Sequence, residues 1–400
     1  MNLDKRCIVI GAGVAGAACA WELANRGWQV KLLDKAKDPC SAASGVPVGV
    51  VSCHTSFDNN PLSQLTRAGL QATVAFAKAH LTAGEDWSAV GVLERRFFNA
   101  ERVKKPWQEP TKDSVWFSHV HRAKPSHLIE AGLDAIGSDE LWHPQAAWIK
   151  PIALVRALLS HDNILFMGLR EVETMHKSPT AGEWQLRLKN HSPISNMGSS
   201  HTYATATAPH VVIATGAQTP DFLKHVLFEP DMGLHPIAGQ VSWGLQDACV
   251  SSHLPRFAVN GHGSFVAHIP SADGLAWYTG STFHRHQTHV MASNEAHMHN
   301  RQRLIELLPA VADKLAPQWD DTAHIKAWSG VRCASINRIP KVGPLDEQRF
   351  PGLHILSALG SRGLTLALLS AQVMADRIEG KPPALSKALL KAMQCELPQA

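Results

Sequence analysis

The sequence lacks the features that mark disulfide-bonded and membrane-spanning proteins. Its seven cysteines form no C-x-x-C pair and no even ladder, which argues against a zinc ribbon and a disulfide scaffold. No run of about 18 apolar residues is present, so we expect no transmembrane helix. The polar start of the chain, followed by a glycine-broken apolar run, is not typical of a signal peptide. These absences predict a protein of the reducing cytoplasm.

A strong charge of one sign is also missing. The 400 residues include 38 Lys+Arg and 34 Asp+Glu, a formal net charge of +4. This weakly basic balance permits an anionic partner but does not require one. Hydrophobic residues make up 45% and charged residues 18%, as in ordinary globular proteins, and this length predicts about two or three domains.

The first 34 residues follow the pattern of a strand–helix–strand unit. The apolar run 7–10 predicts a buried strand, and the small residues after it predict a helix that ends near Gly27. Residues 29–33 predict a second strand, which ends at Asp34. This order predicts one βαβ unit of a parallel sheet.

The turn inside this unit carries a G-x-G-x-x-G motif. Gly11 permits a tight turn, Gly13 lets the backbone approach a pyrophosphate, and Gly16 allows the helix to pack on the strand. Asp34 lies where an acid accepts hydrogen bonds from an adenosine ribose and disfavours a 2′-phosphate. NAD and FAD share this turn, and a glycine-rich turn without a ligand is the plainer alternative. The N-terminal position favours FAD.

Further motifs lie in the middle and near the end of the chain. The terminal ones are Gly330-Val331-Arg332-Cys333, Pro340, Gly343 and Ala358-Leu359-Gly360-Ser361-Arg362-Gly363-Leu364. The others are Ala43-Ser44-Gly45, Gly239-Gln240-Val241-Ser242 and Asn300-Arg301-Gln302-Arg303-Leu304. With the N-terminal motif, they resemble the D-amino-acid oxidase (DAO) superfamily of FAD-dependent amine oxidases over nearly the whole chain. More narrowly, they resemble the FAD-dependent oxidase half of the bifunctional tRNA 5-methylaminomethyl-2-thiouridine biosynthesis proteins.

The sequence departs from the narrower family at four places. The family's Asn, Arg, Gly-Gly-Trp and Asp-His are replaced here by Val46, Ala238, Ala146-Ala147-Trp148 and Asn337-Arg338. These positions surround the flavin and the substrate in the family. The exact substrate therefore stays open.

The resemblance implies an α/β (α+β overall) fold with two domains. A Rossmann-like FAD-binding domain of the glutathione-reductase type is expected to comprise residues 1–85, 146–225 and 326–400. A mainly antiparallel β substrate-binding domain is expected to comprise residues 86–145 and 226–325.

The implied activity is FAD-dependent oxidation of a CH–NH group. The expected substrate is the carboxymethylaminomethyl group of a modified tRNA wobble uridine, whose C–N bond is cleaved after hydride transfer to flavin N5. The alternative is a free-standing oxidase of glycine, sarcosine, a D-amino acid or another small amine. A flavin-bound structural or RNA-binding protein without oxidase activity is a third class.

The resemblance also assigns site residues. Arg332 matches the arginine that clamps the substrate carboxylate, and Arg362 is expected by the pyrimidine edge of the flavin, where a positive field stabilises the reduced form. Either guanidinium could instead form a structural ion pair. The expected FAD-binding residues are Gly11, Gly13, Gly16, Asp34, Ser44, Gly45, Gly49, Thr215, Gly216, Gly360, Ser361, Arg362, Gly363 and Leu364.

The expected partners are an amine substrate and tRNA, with no DNA, no membrane and no metal. One basic, aromatic stretch could hold an RNA backbone or be a solvated charged face: Arg95, Arg96, Phe97, Phe98, Arg102, Lys104, Lys105 and Trp107. The spacing of one histidine group fits no zinc pattern: His284, His286, His289, His297 and His299.

Overall fold

The computed structural model of the protein divides the chain into two units of separated segments. The first comprises Met1–Gly45, Pro151–Ile237 and Val331–Ala400, and the second comprises Val46–Lys150 and Ala238–Gly330. The structure describes residues 4–96, 107–108, 111, 114–116, 118–134, 139–180, 182–191, 202–228, 232–320, 324–395 and 397.

Strands and helices are numbered in chain order. The strands are β1 (Arg6–Ile10), β2 (Gln29–Leu33), β3 (Gly49–Val51), β4 (Trp87–Ser88), β5 (Val92–Glu94), β6 (His121–Arg122), β7 (Leu141–His143), β8 (Ala147–Ile149), β9 (Ile164–Met167), β10 (Arg170–Lys177), β11 (Trp184–Asn190), β12 (Thr202–Ala208), β13 (His210–Ile213), β14 (Leu234–Leu245), β15 (Ala258–Gly261), β16 (Gly263–Ser271), β17 (Gly274–Gly280), β18 (His284–Arg285), β19 (Lys326–Ser335), β20 (Lys341–Pro344) and β21 (Leu353–Ser357). The helices are α1 (Val14–Asn25), α2 (Pro61–His80), α3 (Pro125–Glu130), α4 (Pro151–Leu158), α5 (Thr219–Val226), α6 (Ala248–Ser251), α7 (Asn294–Leu307), α8 (Pro309–Asp320), α9 (Gly363–Ile378) and α10 (Lys387–Ala392).

The first unit is built on a sheet with the strand order β20-β21-β13-β1-β2-β9. The pairs from β21 to β9 are parallel, and only β20 runs antiparallel to its neighbour. The central strands are continuous apolar runs, because both faces of such a parallel sheet are covered and neither is exposed to solvent. Its carboxyl edge, where ligands of such sheets bind, is followed by Gly11, Asp34, Ala214 and Ala358.

Helices α1 and α9 are held together at both ends. At their N-termini, a Cβ on Gly363 would lie 3.4 Å from Val14 Cγ1. Near the C-terminus of α1, Arg26 Nη1 lies 2.7 Å from Asp376 Oδ1 and 3.3 Å from Glu379 Oε2. The two helices therefore begin at the same edge of the sheet.

A second sheet of the first unit, β10-β11-β12, is an antiparallel meander. Its apolar face includes Val172 and Leu186, which pack in one buried cluster with Ile213 and Ile355 of the parallel sheet. The meander thus covers one face of that sheet.

The second unit contains a larger, mostly antiparallel sheet with the order β18-β14-β17-β16-β15-β5-β7-β6, and a small sheet β3-β8-β4. Its core joins Phe265 and Trp277 of the large sheet to Leu304 of α7 and Trp319 of α8. A hydrogen bond from Trp277 Nε1 to Gln318 Oε1 (2.9 Å) satisfies the buried indole.

A buried polar clamp in the second unit explains two motifs of the sequence. Asn300 Nδ2 donates to the Gln240 carbonyl and to Ser242 Oγ, both at 3.0 Å. Gly280 lies against the same group, since a Cβ there would be 3.1 Å from the Gln240 oxygen. These contacts attach α7 to β14, so the two motifs act as one structural element.

The architecture confirms the predicted α/β class, with a parallel nucleotide-type sheet and an antiparallel β unit. Within the described ranges, no helix is both long and apolar enough to cross a membrane.

The unit boundaries differ from the predicted domain ranges. Residues 46–85, expected in the first domain, lie in the second unit. The reason is that α2 directs its polar side chains toward its own unit: Arg67 lies 4.0 Å from the Trp116 ring centroid, and Gln71 bonds to His119 (3.2 Å).

Three shorter segments also lie in a different unit from the one predicted. Residues 146–150 belong to the second unit because β8 pairs with β3 and β4, and residues 326–330 belong there too. Residues 226–237 belong to the first unit, where Val226 and Met232 pack against the core beside the meander.

All seven cysteines are unbonded, and only Cys249 is exposed. Burial raises the pKa of Cys19, Cys40 and Cys53 to about 12, so these thiols stay protonated at neutral pH. They are packing residues rather than nucleophiles.

The contact between α1 and β1 generates a first prediction. A Cβ at Gly16 would lie 1.9 Å from the Gly11 carbonyl oxygen, and a backbone atom cannot move aside without breaking the turn. We expect Gly16→Ala to lower the free energy of unfolding by about 3 kcal/mol or more, or to prevent folding. Urea denaturation followed by circular dichroism measures this loss.

Gly182→Ala is the control, because nothing lies within 4 Å of its Cβ position. Its left-handed φ of +68° predicts a cost of only about 1–2 kcal/mol. Equal losses in both variants would contradict the packing role of Gly16.

Candidate active site

The glycine-rich turn at the carboxyl end of β1 is shaped by two close backbone contacts. Gly11 has a φ of +107°, and a Cβ there would lie 2.5 Å from the Ala214 carbonyl oxygen. At Gly13, a Cβ would fill the space in front of Ser44, 3.1 Å from its Oγ. Glycine at these positions therefore keeps a cradle open at the start of α1.

Ser44 reaches this cradle from a short 3-10 turn, Ala43–Gly45. Its hydroxyl oxygen accepts a hydrogen bond from the Val14 N–H (3.0 Å), a donor of the first turn of α1. The hydroxyl proton remains available to donate to a phosphate beside the helix terminus. Ser44 and Gly45 thus lie beside the predicted pyrophosphate site.

Asp34 connects the end of β2 with the glycine-rich turn. Its Oδ2 accepts from the Ala12 N–H at 2.7 Å, and its Oδ1 accepts from the Ala36 N–H at 2.8 Å. Each carboxylate oxygen can accept a further hydrogen bond. The side chain is therefore fixed in position and retains capacity for two ribose hydroxyls.

Thr215 and Gly216 follow β13 after one residue, Ala214, and Gly216 adopts a φ of +57°. Thr215 Oγ1 bonds to Thr219 Oγ1 at 3.1 Å, and Thr219 bonds to Ser357 Oγ at 2.9 Å. Ser357 in turn donates to Cys333 Sγ at 3.6 Å. This buried chain links three separated segments of the site.

Thr219 and Ser357 were not predicted as site residues. Their separation is 138 residues, and no local pattern indicates that two hydroxyls so far apart will meet. Of the four residues in this chain of hydrogen bonds, the sequence indicates two. Thr215 is an expected FAD-binding residue, and Cys333 belongs to a C-terminal motif.

Arg332 and Ser361 come together, as the two C-terminal motifs would require. Arg332 Nη1 donates to Ser361 Oγ at 2.9 Å. The segments also meet at a bridge between Ala334 and Leu359, and a Cβ on Gly360 would lie 3.8 Å from Ala334 Cβ. Burial lowers the pKa of Arg332 to about 10. The guanidinium is still protonated at neutral pH, and a bound anion would offset its lost hydration.

Arg362 occupies the N-cap position of α9, directly before Gly363 and Leu364. Burial lowers the pKa of this guanidinium, and the charge of Arg338 lowers it further. Among the described residues Arg362 forms no ion pair with a carboxylate, so the interpretation of Arg362 as a structural ion pair gains no support.

One predicted residue is separate from these. Gly49 begins β3 of the second unit and pairs with Ile149. The structure therefore places it in a strand of the other unit, and its predicted role at the flavin stays a prediction.

The basic stretch has internal partners where the structure describes it. Arg95 donates to the Leu307 carbonyl at 2.7 Å, Arg96 pairs with Asp139 at 2.6 Å, and Trp107 is buried. These contacts favour a structural role for that part. The rest of the stretch lies outside the described residues: Phe97, Phe98, Arg102, Lys104 and Lys105.

The histidine group has no metal-like arrangement in the structure. No cluster of three or more potential ligands occurs among the described residues. His297 instead bonds to Ser242 Oγ through its Nδ1 (2.8 Å).

The arrangement in the first unit fits the adenosine diphosphate part of a dinucleotide cofactor. The open glycine cradle, two adjacent helix N-termini and an acid at the end of β2 are the groups that bind pyrophosphate and ribose in folds of this kind. They define the class of dinucleotide-binding proteins.

The chain belongs to the DAO family of FAD-dependent oxidoreductases, whose family model matches residues 6–377. FAD is the cofactor of this family, and the predicted cofactor is confirmed.

Curated relatives agree with this assignment. The tRNA 5-methylaminomethyl-2-thiouridine biosynthesis bifunctional protein MnmC of Paracidovorax citrulli is 38% identical over 97% of this chain and 60% of its own length. The protein of the same name from Polaromonas naphthalenivorans is 39% identical over 94% of this chain and 57% of its own length. The chain therefore spans less than two thirds of these relatives.

Solved structures share the fold. Glycine oxidase from Geobacillus kaustophilus has a TM-score of 0.71 and 19% identity, covering 98% of this chain and 99% of its own. L-proline dehydrogenase from P. horikoshii has a TM-score of 0.70 and 14% identity, covering 99% of this chain and 100% of its own. At these identities the likeness concerns the fold alone.

The position of Asp34 predicts a cofactor-specific effect. We expect Asp34→Ala to weaken FAD binding by roughly 10- to 150-fold, because a charge-assisted hydrogen bond contributes about 1.5–3 kcal/mol. Turnover at saturating FAD is expected to change little, since the ribose is remote from the reacting ring. Flavin fluorescence titration measures the affinity.

Glu173→Ala is the matched control, since Glu173 is another partly exposed acid of the same unit and is paired with Arg187. Unchanged FAD affinity in Asp34→Ala would show that Asp34 does not bind the ribose.

Proposed function

We propose that this protein oxidises the carboxymethylaminomethyl group of a modified wobble uridine in tRNA. Oxidation of the CH–NH group would give an imine, and water would then cleave its C–N bond to yield glyoxylate and the aminomethyl base. The reaction would take place in the cytoplasm, where such a tRNA is available.

The relatives support this substrate. Proteins named for tRNA 5-methylaminomethyl-2-thiouridine biosynthesis match nearly the whole chain at 38–39% identity. The solved structures with this fold include enzymes named for small amino acids, but at 14–20% identity. The first set is therefore the stronger guide to substrate class.

The observation that carries the carboxylate part of the proposal is the Arg332–Ser361 pair. A half-buried guanidinium held at 2.9 Å by a serine hydroxyl is suited to bind a carboxylate in two parallel hydrogen bonds. The proposed substrate carries a carboxylate one carbon from the amine nitrogen. Clamping this group would fix the CH₂ that loses its hydrogen.

FAD, when bound, would supply the two-electron acceptor for this oxidation. The chain's residues would hold the parts in place: Gly13 and Ser44 the pyrophosphate, Asp34 the ribose, and Arg332 the substrate. Arg362, at the start of α9, would place positive charge where reduced flavin is anionic.

A free-standing oxidase of glycine, sarcosine or another small amine is the second candidate. The same carboxylate clamp favours it, because those substrates also place a carboxylate one carbon from nitrogen. Peroxide release is to be measured with glycine, sarcosine and tRNA from a strain that accumulates the carboxymethylaminomethyl base. Activity with tRNA and not with the free amino acids is expected, and the reverse result would replace the proposed function by this candidate.

The clamp itself is testable with Arg332→Lys. Lysine keeps the charge but lacks the planar fork, so kcat/KM for carboxylate-bearing amines is expected to fall by about 30- to 5000-fold. The FAD content of the purified protein should be unchanged. Steady-state oxidation and the flavin spectrum measure the two properties.

An amine without a carboxylate serves as the substrate control, and Arg187→Lys serves as the protein control because Arg187 is paired with Glu173 at 3.3 Å. Equal losses for both substrate classes, or loss of FAD, would mean that Arg332 has a structural role.

A further inference from the structure

A tight turn follows β19, and its three residues, 336–338, are exposed. Ile336 is 84% exposed, and Arg338 adopts a left-handed φ of 60°. The turn is fixed from inside: Asn337 Oδ1 accepts from the Ile339 N–H (3.1 Å) and from Ser335 Oγ (2.9 Å). We call residues 336–338 the arginine turn.

The arginine turn lies beside the candidate active site. It begins two residues after Ala334, which bridges to Leu359 just before the Gly360–Arg362 turn. The bridge thus places the arginine turn and the Gly360–Arg362 turn on adjacent segments of one unit. Burial is the main cause of the lowered pKa of Arg362, and the charge of Arg338 lowers it further.

No carboxylate in the described part of the chain forms an ion pair with Arg338 or Arg362. Adjacent like charges are unfavourable unless an anion joins them. Asn337 shapes the turn through its amide oxygen and adds no negative charge beside Arg338.

We propose that Arg338 binds a backbone phosphate of the tRNA substrate, with Ile336 in contact with a neighbouring base or ribose. This inference rests on the proposed function. A small amino acid has one carboxylate, which Arg332 would bind in the proposed function. The exposed guanidinium of Arg338 would therefore add nothing to the binding of a small amino acid. A polynucleotide carries phosphates on both sides of the modified base, and an arginine fork binds phosphate in two hydrogen bonds.

The test compares Arg338→Gln with the native protein on two substrates. These are tRNA carrying the carboxymethylaminomethyl base, and the corresponding mononucleoside, which has no phosphate. We expect the KM for tRNA to rise roughly five- to tenfold with kcat unchanged, and the slope of log(kcat/KM) against log[salt] to become shallower by about 0.7–0.9. The KM for the mononucleoside should stay within about twofold.

Arg338→Lys should restore most of the tRNA affinity, since lysine also binds phosphate as a point charge. Arg187→Gln is the control variant and should behave as native, because that charge is paired with Glu173. Equal changes with tRNA and mononucleoside, or no change with either, would overturn the inference.

Filter binding of unmodified tRNA separates this inference from the proposed function. If the protein oxidises tRNA and Arg338→Gln has no effect, the inference about Arg338 is wrong and the proposed function stands. If tRNA binding depends on Arg338 but the protein does not oxidise the tRNA, the proposed function is wrong and the inference stands. If the protein neither binds tRNA through Arg338 nor oxidises it, both are wrong.

Discussion

The candidate site depends on one steric constraint, the approach of α1 to β1 at Gly16. With a backbone oxygen 1.9 Å from the position of a side chain, glycine alone permits the helix to begin directly above the strand. That position exposes the first N–H groups of α1 at the sheet edge and leaves Gly13 facing Ser44. The ionic contacts of Arg26 with α9 then align this second helix with α1. The positively polarised N-termini of both helices therefore lie at the same edge of the sheet.

Around this edge, the functional groups are held by short polar contacts rather than by apolar packing. Asp34 is fixed by two backbone N–H groups and Arg332 by the hydroxyl of Ser361. Such contacts hold a side chain in one position. The proposed contacts with the cofactor and with a carboxylate would therefore be made by side chains whose positions are fixed before binding.

The sequence predicts what local patterns determine. The expected strands 7–10 and 29–33 correspond to β1 and β2, because their apolar pattern and turn signals lie within each segment. The unit to which α2 belongs, and the contact of Thr219 with Ser357, depend on residues far apart in the chain. Only the folded structure brings those together.

The burial of the cysteines bears on how long such an enzyme survives its own reaction. When dioxygen accepts the electrons, each turnover releases hydrogen peroxide within reach of the protein, and peroxide attacks thiolates rather than thiols. Thiols such as Cys19 and Cys53, kept protonated in the interior, are poor targets. Oxidative damage would fall first on peripheral sulfur, at Cys249 and at Met291, which is 87% exposed. The thiols that pack the core would therefore be the last to be oxidised.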